Sequence, residues 1–310
     1  MNAEAPAVSV AGLRHAYGDR PALRGVSFDV APGERFAILG PNGGGKTTLF
    51  RILSTLMPPA GGTARIGGAD VREDPDRVRA SLGVVFQSPS LDRKLTVEEN
   101  LVHQGHLYGL AGAPLRERAR DLLGRFGLAD RARERAEALS GGQRRRVELA
   151  KCLLHRPRVL LMDEPSTGLD PGARRDLRDQ LEELRKSDGV TVLLTTHLME
   201  EAERCDRVVV LDRGSVVATG APDDLRAAIR GDVVLLEAAE PEGLRDEIRA
   251  RWGAEGTVVD GRVRVEIAAG HEFVVKVVEA FPGRIRSATF GRPTLEDVFV
   301  HHTGRRMGDG

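Results

Sequence analysis

Cysteine and long apolar runs are what this 310-residue chain has least of. Its two cysteines, Cys152 and Cys205, lie on unrelated segments with no metal-ligand spacing, which excludes a disulfide scaffold and fits two reduced thiols. No apolar run approaches the ~20 residues that a bilayer-crossing helix needs. Residues 1–7 lack a basic stretch followed by an apolar core, so no secretory signal is expected. An excess of one charge is missing as well. The 46 basic residues balance 46 acidic ones, which leaves the chain without the electrostatic footprint of a nucleic-acid binder, and no nucleic-acid partner is expected.

What remains reads as a large α/β unit followed by a smaller one. Short β-prone stretches at 7–10 and 25–30 precede 35–39 (R-F-A-I-L), which runs into a glycine-rich loop and then a helix. That helix puts Leu49, Ile52, Leu53 and Leu56 on one face. Residues 97–140 are helix-prone and arginine-rich, the pattern of a helical insertion. The apolar runs 159–162, 190–195 and 208–211, separated by helical segments, fit buried strands of a parallel sheet. A hairpin at Asp212-Arg213-Gly214 leads into 215–219. From about residue 230 the texture changes. A strand at 233–236, a helix at 241–252, a hairpin of 257–260 with 262–267, a helix at 272–281 and a strand at 285–290 give the order β-α-β-β-α-β, the ferredoxin-like pattern. A last helix is expected over 294–303, so the division falls at 1–229 and 230–310.

The chemistry begins at Gly40-Pro41-Asn42-Gly43-Gly44-Gly45-Lys46-Thr47, which fits G-x-x-x-x-G-K-[ST] between a strand and a helix. Glycines let the backbone curl so that several N–H groups face one phosphate, and the helix N-terminus adds a favourable dipole. Lys46 would neutralise the β- and γ-phosphates, and the Thr47 hydroxyl would ligate Mg²⁺. Taken alone, the motif specifies a nucleoside triphosphate and no class of machine. A second element, 159–164 (V-L-L-M-D-E), buries an apolar strand and releases two carboxylates, Asp163 and Glu164, at its C-terminal end, where α/β sheets place their ligands.

Leu139-Ser140-Gly141-Gly142-Gln143 lies between these two motifs and opens a helix-prone run. With it the chain resembles the ATP-binding subunits of ABC transporters over about residues 7–225. The resemblance implies a P-loop NTPase core of ABC type, with an antiparallel β subdomain and an inserted helical subdomain, ahead of the small ferredoxin-like domain. It also implies the site. ATP would be held by the loop, with Thr48 beside it, and by Tyr17 against the adenine. Asp163 and Gln87 would join Thr47 around Mg²⁺. Glu164 would polarise the attacking water, His197 would contact the γ-phosphate, and Asp170 would reach across a dimer. Ser140, Gly141, Gly142 and Gln143 would cradle the γ-phosphate held by the opposite subunit. Gly44 departs from many members, which carry Ala or Ser there.

One loop and one signature make half of each composite site, so the resemblance implies a homodimer of ATPase subunits. It further implies a separate transmembrane permease docking near Gln87 and 88–100, with the chain on the cytoplasmic face of the plasma membrane. Residues 90–101 (S-L-D-R-K-L-T-V-E-E-N-L) and 293–299 (P-T-L-E-D-V-F) are similar to the daunorubicin-resistance type of exporter ATPase, which works with an ABC-2-type permease. The alternative is a soluble ABC ATPase acting on ribosomes or DNA. Such members carry two cassettes in one chain, or a coiled-coil or zinc insertion, and neither pattern occurs here.

Overall fold

Residues 5–307 are described by the computed structural model. The chain opens with an antiparallel pair, β1 (Val8–Tyr17) and β2 (Arg20–Val30), turning at Gly18-Asp19. β3 (Arg35–Leu39) runs into the phosphate loop, and α1 (Lys46–Leu53) follows it. β4 (Gly61–Ile66) then returns to β1, and β5 (Ala69–Asp70) completes a four-stranded sheet of order β2-β1-β4-β5. After α2 (Pro75–Ser81) comes β6 (Leu82–Val85).

The helical insertion holds α3 (Val97–Leu107), α4 (Gly112–Arg125) and two short 3-10 turns, and it ends where α5 (Gly141–Cys152) begins. β7 (Val159–Asp163), α6 (Pro171–Asp188), β8 (Thr191–Thr196), the short α7 (Met199–Ala202) and β9 (Arg207–Asp212) rebuild the sheet. β10 (Ser215–Gly220) closes it, ahead of α8 (Pro222–Ala227). The order is β10-β9-β3-β8-β7-β6, parallel throughout except for the β9–β10 hairpin.

Alternation along the central strands explains their continuous apolar stretches. Phe36, Ile38, Leu161, Leu193 and Val209 pack into the core shared with α1 and the antiparallel sheet. Their neighbours Ala37, Leu160, Leu194 and Val208 pack into the core on the opposite face, with α5, α6 and the helical insertion. A strand covered on both faces reads as a continuous apolar run, because successive side chains point opposite ways. The C-terminal ends of β3, β7 and β8 therefore emerge together from a dry sheet.

Beyond it lie β11 (Asp232–Ala238), α9 (Pro241–Trp252), β12 (Gly256–Val259), β13 (Arg262–Ile267), α10 (Gly270–Ala280) and β14 (Ile285–Gly291). Their antiparallel order, β12-β13-β11-β14, is the one that a β-α-β-β-α-β run produces when each helix crosses one face of the sheet. A third core, with Leu244, Ile248, Phe273 and Val277 over Val234, Leu236, Val263 and Val265, belongs to this unit alone. α11 (Leu295–Thr303) behaves differently. It starts from a Thr294–Asp297 capping box, and its Leu295, Val298 and Phe299 join the core of the large sheet.

One expectation is corrected, and two strands are added. Leu56 is not on the helix face with Leu49, Ile52 and Leu53; it is 62% exposed. α1 ends early because Thr55 takes a left-handed φ of 60°, with Thr55 N–H bonded to Ile52 O and Leu56 N–H to Arg51 O. That pair is a Schellman closure with threonine in place of the usual glycine. The antiparallel sheet also gains β4 and β5 from 61–70, where only Ala64, Ile66 and Ala69 are buried and the apolar alternation is too sparse to read.

Candidate active site

Three glycines shape the phosphate loop by exclusion or by backbone sign. A Cβ on Gly40 would stand 2.3 Å from Leu211 O, and one on Gly45 would stand 2.7 Å from Ala22 O. Gly43 and Gly45 have φ of 76° and 106°, a region that glycine enters without a steric cost. Gly40 N–H is tied to Thr196 O, 3.3 Å away, so the loop is anchored to the end of β8. Lys46, the first helical residue, is buried and donates to Gly40 O at 2.8 Å and Pro41 O at 3.1 Å. Burial pushes its ammonium below the ordinary lysine value, against the opposing charges of Glu164 and Asp163.

The two carboxylates of β7 are set by one threonine. Thr195, fully buried beside Asp163 in the parallel register, donates to Asp163 Oδ1. Its hydroxyl and carbonyl both accept from Glu164 N–H at 3.1 Å. Burial pushes the Asp163 carboxyl above its usual range, and the Thr195 hydrogen bond works against that shift. Glu164 has a φ of 45°, strained for a non-glycine residue, which turns it away from the strand direction of Asp163.

Four groups then converge on Glu164. Lys46 Nζ lies 3.5 Å from Oε1, and His197 Nδ1 lies 3.2 Å from Oε2. Gln87 Nε2 and Thr167 Oγ1 each donate to Oε2 at 3.3 Å. One carboxylate thus meets the phosphate loop, the end of β6, the segment after β7 and the end of β8.

These residues line a cleft of about 730 Å³ together with Tyr17, Pro41, Asn42, Gly43, Gly45, Thr47 and Thr48. Asp163 lies behind it at the end of β7. Tyr17 is 48% exposed, so one side of its ring is open, while its hydroxyl accepts from Thr48 Oγ1 at 3.5 Å and donates to Met57 Sδ at 3.7 Å. The remaining expected residues lie elsewhere. Ser140 caps α5 in a reciprocal box with Gln143, followed by Gly141 and Gly142, and none of the four lines the cleft. Asp170 caps α6 by accepting from Ala173 N–H at 2.9 Å, also outside the cleft.

Sequence reasoning missed several participants. Thr167 and Thr195 hold the carboxylates, and Arg20, Pro21 and Ala22 line the cleft beside Tyr17. The one signal for Thr195 was a polar residue closing an apolar run. Arg145 of α5 donates to Phe86 O at 2.8 Å and Gln87 O at 3.4 Å, and its buried partner Glu148 accepts from Ser90 N–H at 2.6 Å. The helix of the signature therefore grips the segment that carries Gln87. Nothing local in the sequence announces that link.

A family model described as ABC transporter matches residues 23–167. The daunorubicin resistance ATP-binding protein DrrA3 of Streptomyces coeruleorubidus is 41% identical over 312 residues, covering 96% of each chain. The Nod factor export ATP-binding protein I of Paraburkholderia xenovorans is 41% identical over 306 residues, covering 96% of this chain and 97% of its own. The linearmycin resistance ATP-binding protein LnrL of Bacillus subtilis is 35% identical over 306 residues, covering 96% and 98%. Among solved structures, CbiO1 from Clostridium perfringens, part of the ABC transporter complex CbiONQ, aligns with a TM-score of 0.67 at 30% identity over 81% of this chain and 97% of its own. The ATP-binding cassette MJ0796, in a dimeric post-hydrolysis state with ADP and Pi, aligns at 0.62 with 30% identity over 69% and 98%. Together with the loop, the carboxylates and the signature, this likeness means that the chain belongs to the ATP-binding cassette family of ABC transporters and is an ATPase.

Proposed function

We propose that this chain is the ATP-hydrolysing subunit of an exporter, working as a dimer with a separate transmembrane permease of ABC-2 type. The observation that carries this reading is the division of the site. One cleft gathers the loop, Gln87, Glu164 and His197, while the signature and Asp170 stand outside it. A second copy supplying Ser140, Gly141, Gly142 and Gln143 completes each site, and ATP bound between the copies favours the closed pair. No helix among the described residues is long and apolar enough to cross a membrane, so a permease would be a separate partner. It would dock near Gln87 and 88–100, a segment that α5 grips, and would bring the chain to the cytoplasmic face of the plasma membrane. Relatives named for daunorubicin resistance, linearmycin resistance and Nod factor export support an exported drug-like, lipid or other amphiphilic cargo.

In this reading Lys46 and the loop amides bind the phosphates, Tyr17 stacks on the adenine, and Glu164 accepts a proton from the attacking water. His197 holds the γ-phosphate and Glu164 in one geometry. Thr47, Gln87 and Asp163 would hold Mg²⁺. Hydroxyl, amide and carboxylate oxygens suit a hard cation, and a nearby positive charge relieves the burial that pushes the Asp163 carboxyl up. When bound, that ion neutralises charge on the β- and γ-phosphates. Residues 1–229 are the nucleotide-binding domain, and 230–310 an accessory domain. The separate core of β11–β14 supports that division, and α11 fastens the second unit to the first.

Glu164→Gln tests the mechanism. The variant is expected to bind ATP, to accumulate as an ATP-bound dimer in size-exclusion chromatography, and to hydrolyse at least about tenfold more slowly. Normal turnover would remove Glu164 from the role of base.

A further inference from the structure

One carboxylate outside the cleft joins the two segments that carry its proton chemistry. Glu201, in the short α7 that follows β8, accepts a hydrogen bond from Ser166 Oγ on one oxygen and from Thr196 Oγ1 on the other. Ser166 follows Glu164 by two positions, and Thr196 immediately precedes His197. Both hydroxyls have left water, with exposures of 4% and 1%, so each depends on a partner inside the protein. The Thr196 oxygen already accepts from Leu198 N–H at 2.9 Å, which directs its single proton to Glu201. Hydrogen bonds to a carboxylate are about twice as strong as neutral ones, and this one closes a ring between two loops.

We propose that Glu201 is a positioning residue for hydrolysis, tying the segment after Glu164 to the segment before His197 and so fixing the 3.2 Å approach of those two side chains. The proposal rests on the reading of Glu164 as base and His197 as the γ-phosphate contact. Glu201 does not belong to the apolar core. Its side chain lines a cavity of about 630 Å³, whose walls also include Arg35, Arg174 and Arg204. Truncating it enlarges a cavity that already exists and leaves the Ser166 and Thr196 hydroxyls without their acceptor, so folding has to be measured beside activity.

The test is steady-state ATP hydrolysis by Glu201→Ala and Glu201→Gln, with ATP binding and thermal unfolding measured on the same samples. A misplacement of reacting groups lowers kcat, and the expected loss in Glu201→Ala is about tenfold, with KM for ATP within about twofold. Glu201→Gln retains one acceptor oxygen and should recover part of the rate. Ser166→Ala removes one donor and Thr196→Val the other; each should lower kcat by itself and add little to Glu201→Ala. These two variants decide the matter if Glu201→Ala does not fold. An unchanged kcat, a KM rising in step with the rate loss, or fully additive double variants would overturn the proposal. Its failure is separable from that of the parent reading: an inactive Glu164→Gln beside a fully active Glu201→Ala sinks the tether alone, whereas an active Glu164→Gln sinks the base.

Discussion

Two helices in this chain begin in glycine-rich turns, and they begin differently. α5 closes its own N-terminus: Ser140 Oγ accepts from Gln143 N–H, and Gln143 Oε1 accepts from Ser140 N–H. α1 starts from Gly45, which has no side chain to cap with, and its first residue is the buried Lys46. The leading N–H groups of any helix need partners. At α5 the sequence supplies one from within, whereas at α1 it places a glycine and a cation, the combination that receives an anion from outside. The comparison separates a primary phosphate site from an auxiliary one. α1 lines the cleft of its own chain, whereas α5 is a finished, exposed helix end that, in the proposed dimer, would act on a phosphate held by another copy.

Putting a side chain at the uncapped start should have the largest effect. In Gly45→Ala the new Cβ meets Ala22 O at 2.7 Å and the Leu23 and Leu211 side chains at 3.1 Å, at a φ of 106° that alanine rarely adopts. Strain of this kind costs about 1–3 kcal/mol before the clash is counted. Chemical denaturation should show a destabilisation of at least that size, and nucleotide titration about 100-fold weaker ATP binding. A variant that folded and bound ATP normally would mean that the loop does not need the backbone seen here.

Removing the cap of the other helix should be milder and of another kind. Ser140→Ala loses the capping box, worth about 1 kcal/mol of stability. Because Ser140 lies outside the cleft, ATP affinity of the isolated chain should stay within about twofold while hydrolysis falls about tenfold. If binding to the single chain weakened instead, the division of the site between two copies would fail, and α5 would join α1 as a primary phosphate site.

The two helix starts also mark how far the sequence could be read. Motifs whose chemistry is local, such as the phosphate loop and the helix starts at the signature and at Thr294, were legible because each spans a few residues. So were the central strands, since burial on both faces leaves a continuous apolar run. Contacts that close over long stretches were not. Thr195 reads as an ordinary β-former until β8 pairs with β7 and its hydroxyl falls beside Asp163. Arg145 reads as one of three consecutive surface arginines, yet it is 6% exposed and holds the carbonyls of Phe86 and Gln87. Leu56 fails for the opposite reason. Helical spacing extends smoothly to it, but a left-handed threonine ends the helix first, and threonine is not a residue that advertises such a stop.

The smallest effect is expected one residue before the largest, at Gly44. Its backbone lies outside the left-handed region, so alanine brings no conformational strain. Its N–H bonds to Pro41 O at 3.1 Å and its carbonyl accepts from Gly214 N–H at 2.9 Å, and both bonds survive the substitution. An added Cβ would lie 3.0 Å from Pro41 O and 3.3 Å from Leu211 O, close enough that the neighbours must yield by a few tenths of an ångström. Alanine also narrows the unfolded ensemble, a gain of about 0.4–1 kcal/mol that opposes the crowding. Gly44→Ala should therefore leave stability within about 1 kcal/mol and ATP affinity within about threefold, measured as for Gly45→Ala. A loss on the scale of Gly45→Ala would show that the loop rejects any side chain, and then the φ of Gly45, rather than the bulk of a Cβ, could no longer be what distinguishes the start of α1.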